Sequence, residues 1–295
     1  MVIMSAMLRF ASAFPILLVA GLGGIVPSGL VSSAAIAADV SPWSGDAPSS
    51  ARLVGAKARD GATGRMFRAG VEIKLKPGWK TYWRYPGDSG VPPALDFSKS
   101  DNVKAVTVLY PAPQRFADGA GGNSIGYKGD VVFPVHIVPQ DSAKPVTLRL
   151  KLDYAACEKL CMPAEAQMEL ALTGAQGTNE DAVGRAEARV PRPTRVGDAG
   201  IPAIRAVRRE SGAGKPRIVV DVAAPADQAP GLFAEGPTAD WALPLPEPVP
   251  GAPAGLHRFS FDLDGLPPGA KAEGATLRLT AVAGERAVEA AFPLD

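Results

Sequence analysis

The sequence predicts a mostly β protein, and three observations carry that expectation. Glycine (32 residues) and proline (29) are frequent in a chain of 295, while aromatic residues make up only 6%. That balance suits many short strands joined by punctuated turns better than long helices. Apolar residues recur with a period of two in stretch after stretch, the pattern of strands with one buried and one wet face. At 46% hydrophobic and 21% charged, the chain can bury a real core, and its length suggests two domains.

The first segment, residues 1–37, has the layout of an export signal. Arg9 supplies the charge, Phe14 to Val26 the apolar run and Ala35-Ile36-Ala37 a small-residue cleavage site. An uncleaved anchor is the alternative, but Pro15, Pro27 and several glycines interrupt the run. Beyond Asp39 no stretch approaches the ~18 apolar residues a membrane helix needs, so the expected location is an oxidising compartment outside the cytoplasm.

A first domain is expected over residues 38–175. After a lead-in at 41–50, Val71, Ile73 and Leu75 alternate with Glu72, Lys74 and Lys76 before the turn at Pro77-Gly78. Val106, Val108 and Tyr110 continue the period. "DVVFPVHIVP" follows as a strand whose Pro134 suggests an edge or a bulge. Between them, "QRFADGAGGNSIGYKG" reads as a glycine-rich loop. The clearest strand carries Val146, Leu148, Leu150, Leu152 and Tyr154 on one face, and "AQMELAL" alternates again through Ala166, Met168, Leu170 and Leu172. Residues 176–200 are expected to be a polar linker with a short helix around Glu180 to Ala188. Residues 201–295 hold further period-two runs, among them Ile218, Val220 and Val222, and Phe259, Phe261 and Leu263, which fit a second β sandwich.

Charge and histidine content narrow the function classes. Lysine plus arginine (31) nearly cancels aspartate plus glutamate (30), giving a net charge of +1 and no basic footprint for nucleic acid. The two histidines, His136 and His257, sit in separate strand patterns and read as strand residues rather than ligands. No G-x-S-x-G elbow supports hydrolysis.

The chemistry-bearing stretch is "YAACEKLCMP", which holds both cysteines, Cys157 and Cys161, between two strands. Three readings stand: a structural staple, a metal clip, or a redox pair. As a staple the pair is weak, because closing a five-residue loop removes only roughly 2 kcal/mol from the unfolded state, against about 4.7 for a hundred-residue loop. Short loops also favour strained, exchangeable bonds. As a metal clip, Cys157, Cys161 and Met162 offer soft ligands for Cu(I), but few further ligands lie nearby. As a redox pair, the cysteines would exchange thiol for disulfide without a cofactor.

The stretches "GWKTYWRYPGDSGVPP", "YPAPQRF…SIGYKGDVVFPV" and "LDYAACEKLCMPAEAQMEL" together resemble the periplasmic N-terminal domain of the thiol:disulfide interchange protein DsbD. They are nearest in kind to the ScsB-type members associated with copper tolerance. The resemblance covers residues 43–173. It implies an immunoglobulin-like sandwich, so the expected fold is two immunoglobulin-like β-sandwich domains, the first carrying the redox cysteines. It also implies a cofactor-free thiol-disulfide oxidoreductase in the periplasm, relaying electrons from an inner-membrane DsbD/CcdA-like donor to thioredoxin-fold or disulfide-containing periplasmic proteins.

By the same resemblance, Cys161 is the sulfur attacked by the donor and attacking the acceptor, and Cys157 resolves the mixed disulfide. A cap loop would cover the pair, with Phe116 or Tyr127 as the lid and Asp118 as an accompanying acid. Trp79, Tyr82, Trp83 and Tyr85 read as packing residues or as part of a docking surface. Two departures from the family pattern stand out. The pair is spaced C-x-x-x-C, tighter than in the best-known members, and no electron channel or thioredoxin-like domain follows, so the donor is expected to act in trans. The rival reading is a periplasmic copper-handling or partner-binding module.

Overall fold

The computed structural model describes residues 38–61, 64–119, 121–211 and 214–295. The expected export signal at 1–37 lies outside the described residues. Ten strands fill the first half: β1 (Ser49–Gly61), β2 (Gly64–Leu75), β3 (Lys80–Gly87), β4 (Ala94–Asp96), β5 (Val103–Val108), β6 (Gln114–Ala117), β7 (Asn123–Lys128), β8 (Val131–Pro139), β9 (Val146–Cys157) and β10 (Cys161–Leu172). They form one sheet in the order β1-β2-β8-β5 and a second in the order β10-β9-β3-β7-β6, with β4 also paired to β9.

The two sheets enclose the apolar faces read from the sequence. Val71 and Ile73 from β2 and Phe133 and Val135 from β8 join Leu148, Leu150 and Leu152 from β9 and Met168 and Leu170 from β10 in one core. Each fully buried side chain of this size contributes about 1.5–3 kcal/mol, so the alternation itself is what fixes which face of each strand turns inward.

Helix α1 (Glu180–Ala188) follows within the polar stretch 176–200. It buries Val183 and Ala186 and is held to the first sheet by ion pairs. The guanidinium of Arg68, with a fully buried side chain, reaches Glu187 and Glu180 at 2.6 Å each. His136 Nε2 lies 2.8 Å from Glu187 Oε1.

The remaining strands are β11 (Arg192–Thr194), β12 (Ala203–Glu210), β13 (Arg217–Ala223), β14 (Gly231–Glu235), β15 (Glu247–Val249), β16 (Leu256–Asp262), β17 (Ala275–Ala283) and β18 (Arg286–Leu294). They form two more four-stranded sheets, β11-β18-β17-β14 and β12-β13-β16-β15. Ile218, Val220, Val222, Phe259, Phe261 and Leu279 lie in their shared core. The fold is therefore all-β and immunoglobulin-like, with one short helix in the described residues.

Three local expectations differ from the structure. β1 was not evident, because its pattern is broken by small residues and charges along "SSARLVGAKARDG". The stretch read as a glycine-rich loop is instead the hairpin β6–β7, with Gly119 and Gly121 at positive φ in its turn. Pro134 is not on an edge strand, since β8 lies between β2 and β5. It sits where β5 leaves the sheet, and Leu109 N–H donates to the Pro134 carbonyl at 2.8 Å. The proline's missing donor therefore faces the departing end of β5 and breaks no continuing ladder.

Candidate functional site

Cys157 is the last residue of β9 and Cys161 the first of β10, and the two pair directly across the hairpin. Only Glu158, Lys159 and Leu160 form the connecting turn, closed by Glu158 N–H donating to Leu160 O at 3.2 Å. The cysteines are thus strand residues flanking a tight turn rather than loop residues. Their sulfurs are joined in a disulfide, with Cα atoms 4.1 Å apart.

Side-chain alternation decides which face the disulfide occupies. On β10, Ala166, Met168, Leu170 and Leu172 turn into the core; Cys161 has the opposite parity and lies on the outer face with its partner. That face is not open everywhere. Cys157 is 1% exposed, whereas Cys161 is exposed. One cysteine of the pair is shielded and its neighbour is exposed.

Tyr82 supplies much of the shield. It is buried with Ala155 and Cys157 in a small cluster, and its hydroxyl lies 2.9 Å from Cys157 Sγ and 3.2 Å from Cys161 Sγ. Disulfide sulfurs carry no hydrogen, so the phenol is the donor to both. Burial raises its pKa, with Asp118's charge adding to the rise and the hydrogen bond with Ser124 opposing it, so the hydroxyl keeps its proton across the neutral range. Two glycines make room for Tyr82, one beside its ring and one beside its backbone. A Cβ at Gly90 would fall 2.3 Å from Tyr82 Cε1, and one at Gly126 would fall 2.0 Å from Thr81 O and 2.8 Å from Tyr82 Cα.

A chain of hydroxyls leads away from the sulfurs. Ser124 Oγ lies 3.1 Å from Ser89 Oγ, which donates to Asp118 Oδ2 at 2.9 Å. Asp118 is further held by the Gly122 N–H at 3.0 Å. The expected acid therefore connects to the cysteines through Ser89, Ser124 and Tyr82.

The two lid candidates part company. Lys80 pairs with Cys157 on one side and with Lys128 on the other, and both ammonium groups lie over the Phe116 ring, at 4.8 and 5.5 Å from its centroid. Phe116 opposes Ser124 and so shares the outer face with the disulfide. Tyr127 points the other way, into the core, where it packs edge-on against Phe133 and donates its hydroxyl to Pro111 O at 2.8 Å.

The other aromatic candidates on β3 divide similarly. Trp83 is fully buried against Phe233, with centroids 5.8 Å apart, and Tyr85 donates to Leu243 O at 2.6 Å. Trp79 is partly buried against the core. Sequence reading grouped Tyr82 with these neighbours and did not connect it to the sulfurs. Alternation along "KTYWRY", which sets Tyr82 opposite Trp83, was the available signal.

Met162, the third ligand of the copper reading, is 47% exposed beside Cys161. Among the described residues no group of three or more histidine, cysteine and acidic side chains is arranged to hold a metal ion. His136 is engaged by Glu187, and His257 lies in β16 opposite Val222. No helix among the described residues is long and apolar enough to cross a membrane.

Set beside known proteins, residues 53–173 match the sequence model of the family described as thiol:disulfide interchange protein DsbD, N-terminal. The fold is similar to the crystal structure of the N-terminal periplasmic domain of ScsB from Proteus mirabilis, with TM-score 0.63 and 21% identity over 86% of this chain and 97% of that one. That likeness extends past the family match into the second pair of sheets. No curated protein matches the chain.

Proposed function

We propose, taking residues 53–173 as a thiol:disulfide interchange module of the DsbD N-terminal kind, that this protein relays two electrons at a time through Cys157 and Cys161. The observation that carries the reading is the asymmetry of the pair: an exposed Cys161 bonded to a Cys157 that is 1% exposed and hydrogen-bonded by Tyr82.

A thiolate of the electron donor attacks Cys161 Sγ, forming a mixed disulfide and breaking the Cys157–Cys161 bond. Cys157 leaves as a thiolate that receives the Tyr82 hydrogen bond. The donor's second thiolate then attacks its own sulfur in the mixed disulfide and releases Cys161. The donor dithiol ends as a disulfide and this chain as a dithiol, with the donor's two thiol protons passing by way of solvent to the two cysteines. Reversal of these steps on an oxidised acceptor returns the chain to its starting state.

In this reading the chain is a cofactor-free thiol-disulfide oxidoreductase of the periplasm, exported by residues 1–37. Its donor is a DsbD/CcdA-like inner-membrane reductant acting in trans, and its acceptors are thioredoxin-fold or disulfide-containing proteins. Residues 38–175 form the redox domain, 176–200 the connection and 201–295 a second sandwich. Phe116, leaning over the outer face with Lys80 and Lys128, serves as the cap, with Asp118 behind it.

A redox titration with mass-spectrometric thiol trapping tests the proposal. A reversible two-electron transition is expected, and Cys157→Ser should accumulate mixed disulfides on Cys161. A bond that stays closed under thioredoxin-type reductants would overturn it.

A further inference from the structure

We propose that the outer edge of β10, over Cys161–Glu165, is the docking rail for the protein partner, which adds an extended segment of its own backbone there as an extra strand beside the sulfur it attacks. This rests on the redox reading above and specifies its partner surface.

Sheet order places β10 at the edge. Gln167 N–H donates to Ser44 Oγ at 3.0 Å, so it points away from β9. Register is one-to-one from Cys161↔Cys157 to Leu172↔Val146, and backbone direction alternates along a strand. Glu165, Pro163 and Cys161 therefore turn their main-chain groups outward as Gln167 does. The 4.1 Å Cα separation at Cys161↔Cys157 agrees, since directly opposed residues lie ~4.5 Å apart where no hydrogen bonds are exchanged and ~5.5 Å where they are.

The chain covers part of this edge as far as the Glu165 carbonyl, which lies 3.8 Å from the Cβ position of Gly45. The segment ahead of β1 bridges to it at Val40↔Val54 and Ser44↔Ala51, and Ser44 closes the β10 edge at Gln167. Farther toward the sulfurs, among the described residues, no side chain or loop backbone accepts from the amides of Cys161 or Glu165. Pro163 has no N–H on this side, which discourages indiscriminate sheet growth while leaving its carbonyl as an acceptor. Leu160 (79% exposed) and Met162 (47%) add apolar surface at the same end.

Reaction geometry selects the same edge. Thiolate attack on a disulfide proceeds in line with the bond being broken. The bond runs across the hairpin from Cys157 on β9 to Cys161 on β10, so the nucleophile must arrive from beyond β10. An antiparallel strand added there would set one partner residue opposite Cys161, exchanging both main-chain hydrogen bonds at a Cα separation of ~5.5 Å. That spacing falls inside the ~4.4–6.8 Å range of disulfides. Docking and mixed-disulfide formation thus use one geometry, which fits an extended, cysteine-bearing protein segment and is not required by a small thiol.

Glu165→Pro tests this, because it deletes an outward amide and leaves the β9 ladder whole. With the full chain, reduction by dithiothreitol should be unchanged within about twofold, and reduction by reduced thioredoxin should slow about tenfold, the scale of one lost hydrogen bond. Equal thioredoxin rates for both proteins would overturn the proposal, as would a wild-type bond that yields to dithiothreitol and not to thioredoxin. If neither reductant opens the wild-type bond, the redox reading itself fails, a distinct outcome. A second measurement covers a misfolded variant. In a mixed disulfide between Cys157→Ser and a single-cysteine thioredoxin, the Cys161 and Glu165 amides should exchange hydrogen at least tenfold more slowly than in the free chain. Unchanged exchange in that adduct would overturn the docking rail.

Discussion

Tyr82 holds its hydroxyl 2.9 Å from Cys157 Sγ, on the sulfur that solvent does not reach. In the redox reading proposed above, burial would disfavour a thiolate at that position, and this donor would offset the penalty as the bond opens. Tyr82→Phe should slow reduction by dithiothreitol about tenfold or more, since a hydrogen bond to a charged group contributes about 1.5–3 kcal/mol. The Cys157 thiol of the reduced variant should titrate at higher pH. Stopped-flow kinetics and thiolate absorbance read the two effects, and an unchanged rate would remove Tyr82 from the chemistry.

Gly126 lets β3 and β7 approach closely enough for Tyr82 to reach the sulfurs, because a Cβ there would fall 2.0 Å from Thr81 O. Gly126→Ala should destabilise the protein by about 1–3 kcal/mol, the usual range for overpacking. It should also slow disulfide reduction by displacing β3. Urea unfolding gives the first number, and wild-type stability in this variant would contradict the packing argument.

Burial alone would raise the Glu187 pKa, but hydrogen bonds from His136 and Arg68 and the charges of Arg68 and Arg59 outweigh it and lower the pKa to about 2. A folded pKa below the ordinary 4.5 means that the carboxylate stabilises the fold above pH 4.5 and loses that contribution as pH falls toward 2. At pH 7 the contribution is at most roughly 3 kcal/mol. Glu187→Gln should therefore be less stable than wild type at pH 7, with the gap closing below about pH 4. A gap independent of pH would show that helix α1 is held by other means.

Phe233 comes from the second pair of sheets yet packs in the core of the first, against Trp83. Phe233→Ala should cost about 3–5 kcal/mol. Calorimetry should then resolve two transitions where the wild type should show one. A single transition at the wild-type temperature would mean that the two halves do not depend on this contact.

The strands with strict alternation were legible in the sequence, as Leu148, Leu150 and Leu152 on β9 and Met168, Leu170 and Leu172 on β10 show. Burial of one face leaves a period of two that survives in any context. The hairpin β6–β7 was not legible, because the glycines that let it turn and pack beside Thr81 also erase its pattern. Both cysteines stood out as the only pair in the sequence, and the family resemblance, through its cap loop, brought Phe116, Asp118 and Tyr127 into consideration. Which of these faces the sulfurs depends on register between strands distant in sequence. That register puts Phe116 on the disulfide's face, turns Tyr127 inward and brings in Tyr82, Ser124 and Ser89.

Strand β3 serves two masters within three residues: Tyr82 touches the sulfurs, while Arg84 is clamped by Glu235 and Glu289 from β14 and β18. The rear half of the molecule thereby acts as an anvil behind the phenol. Whatever loosens that grip should be felt at the cysteines, even though, among the described residues, the hydrogen bonds to the sulfurs come from Tyr82 and none from beyond residue 200.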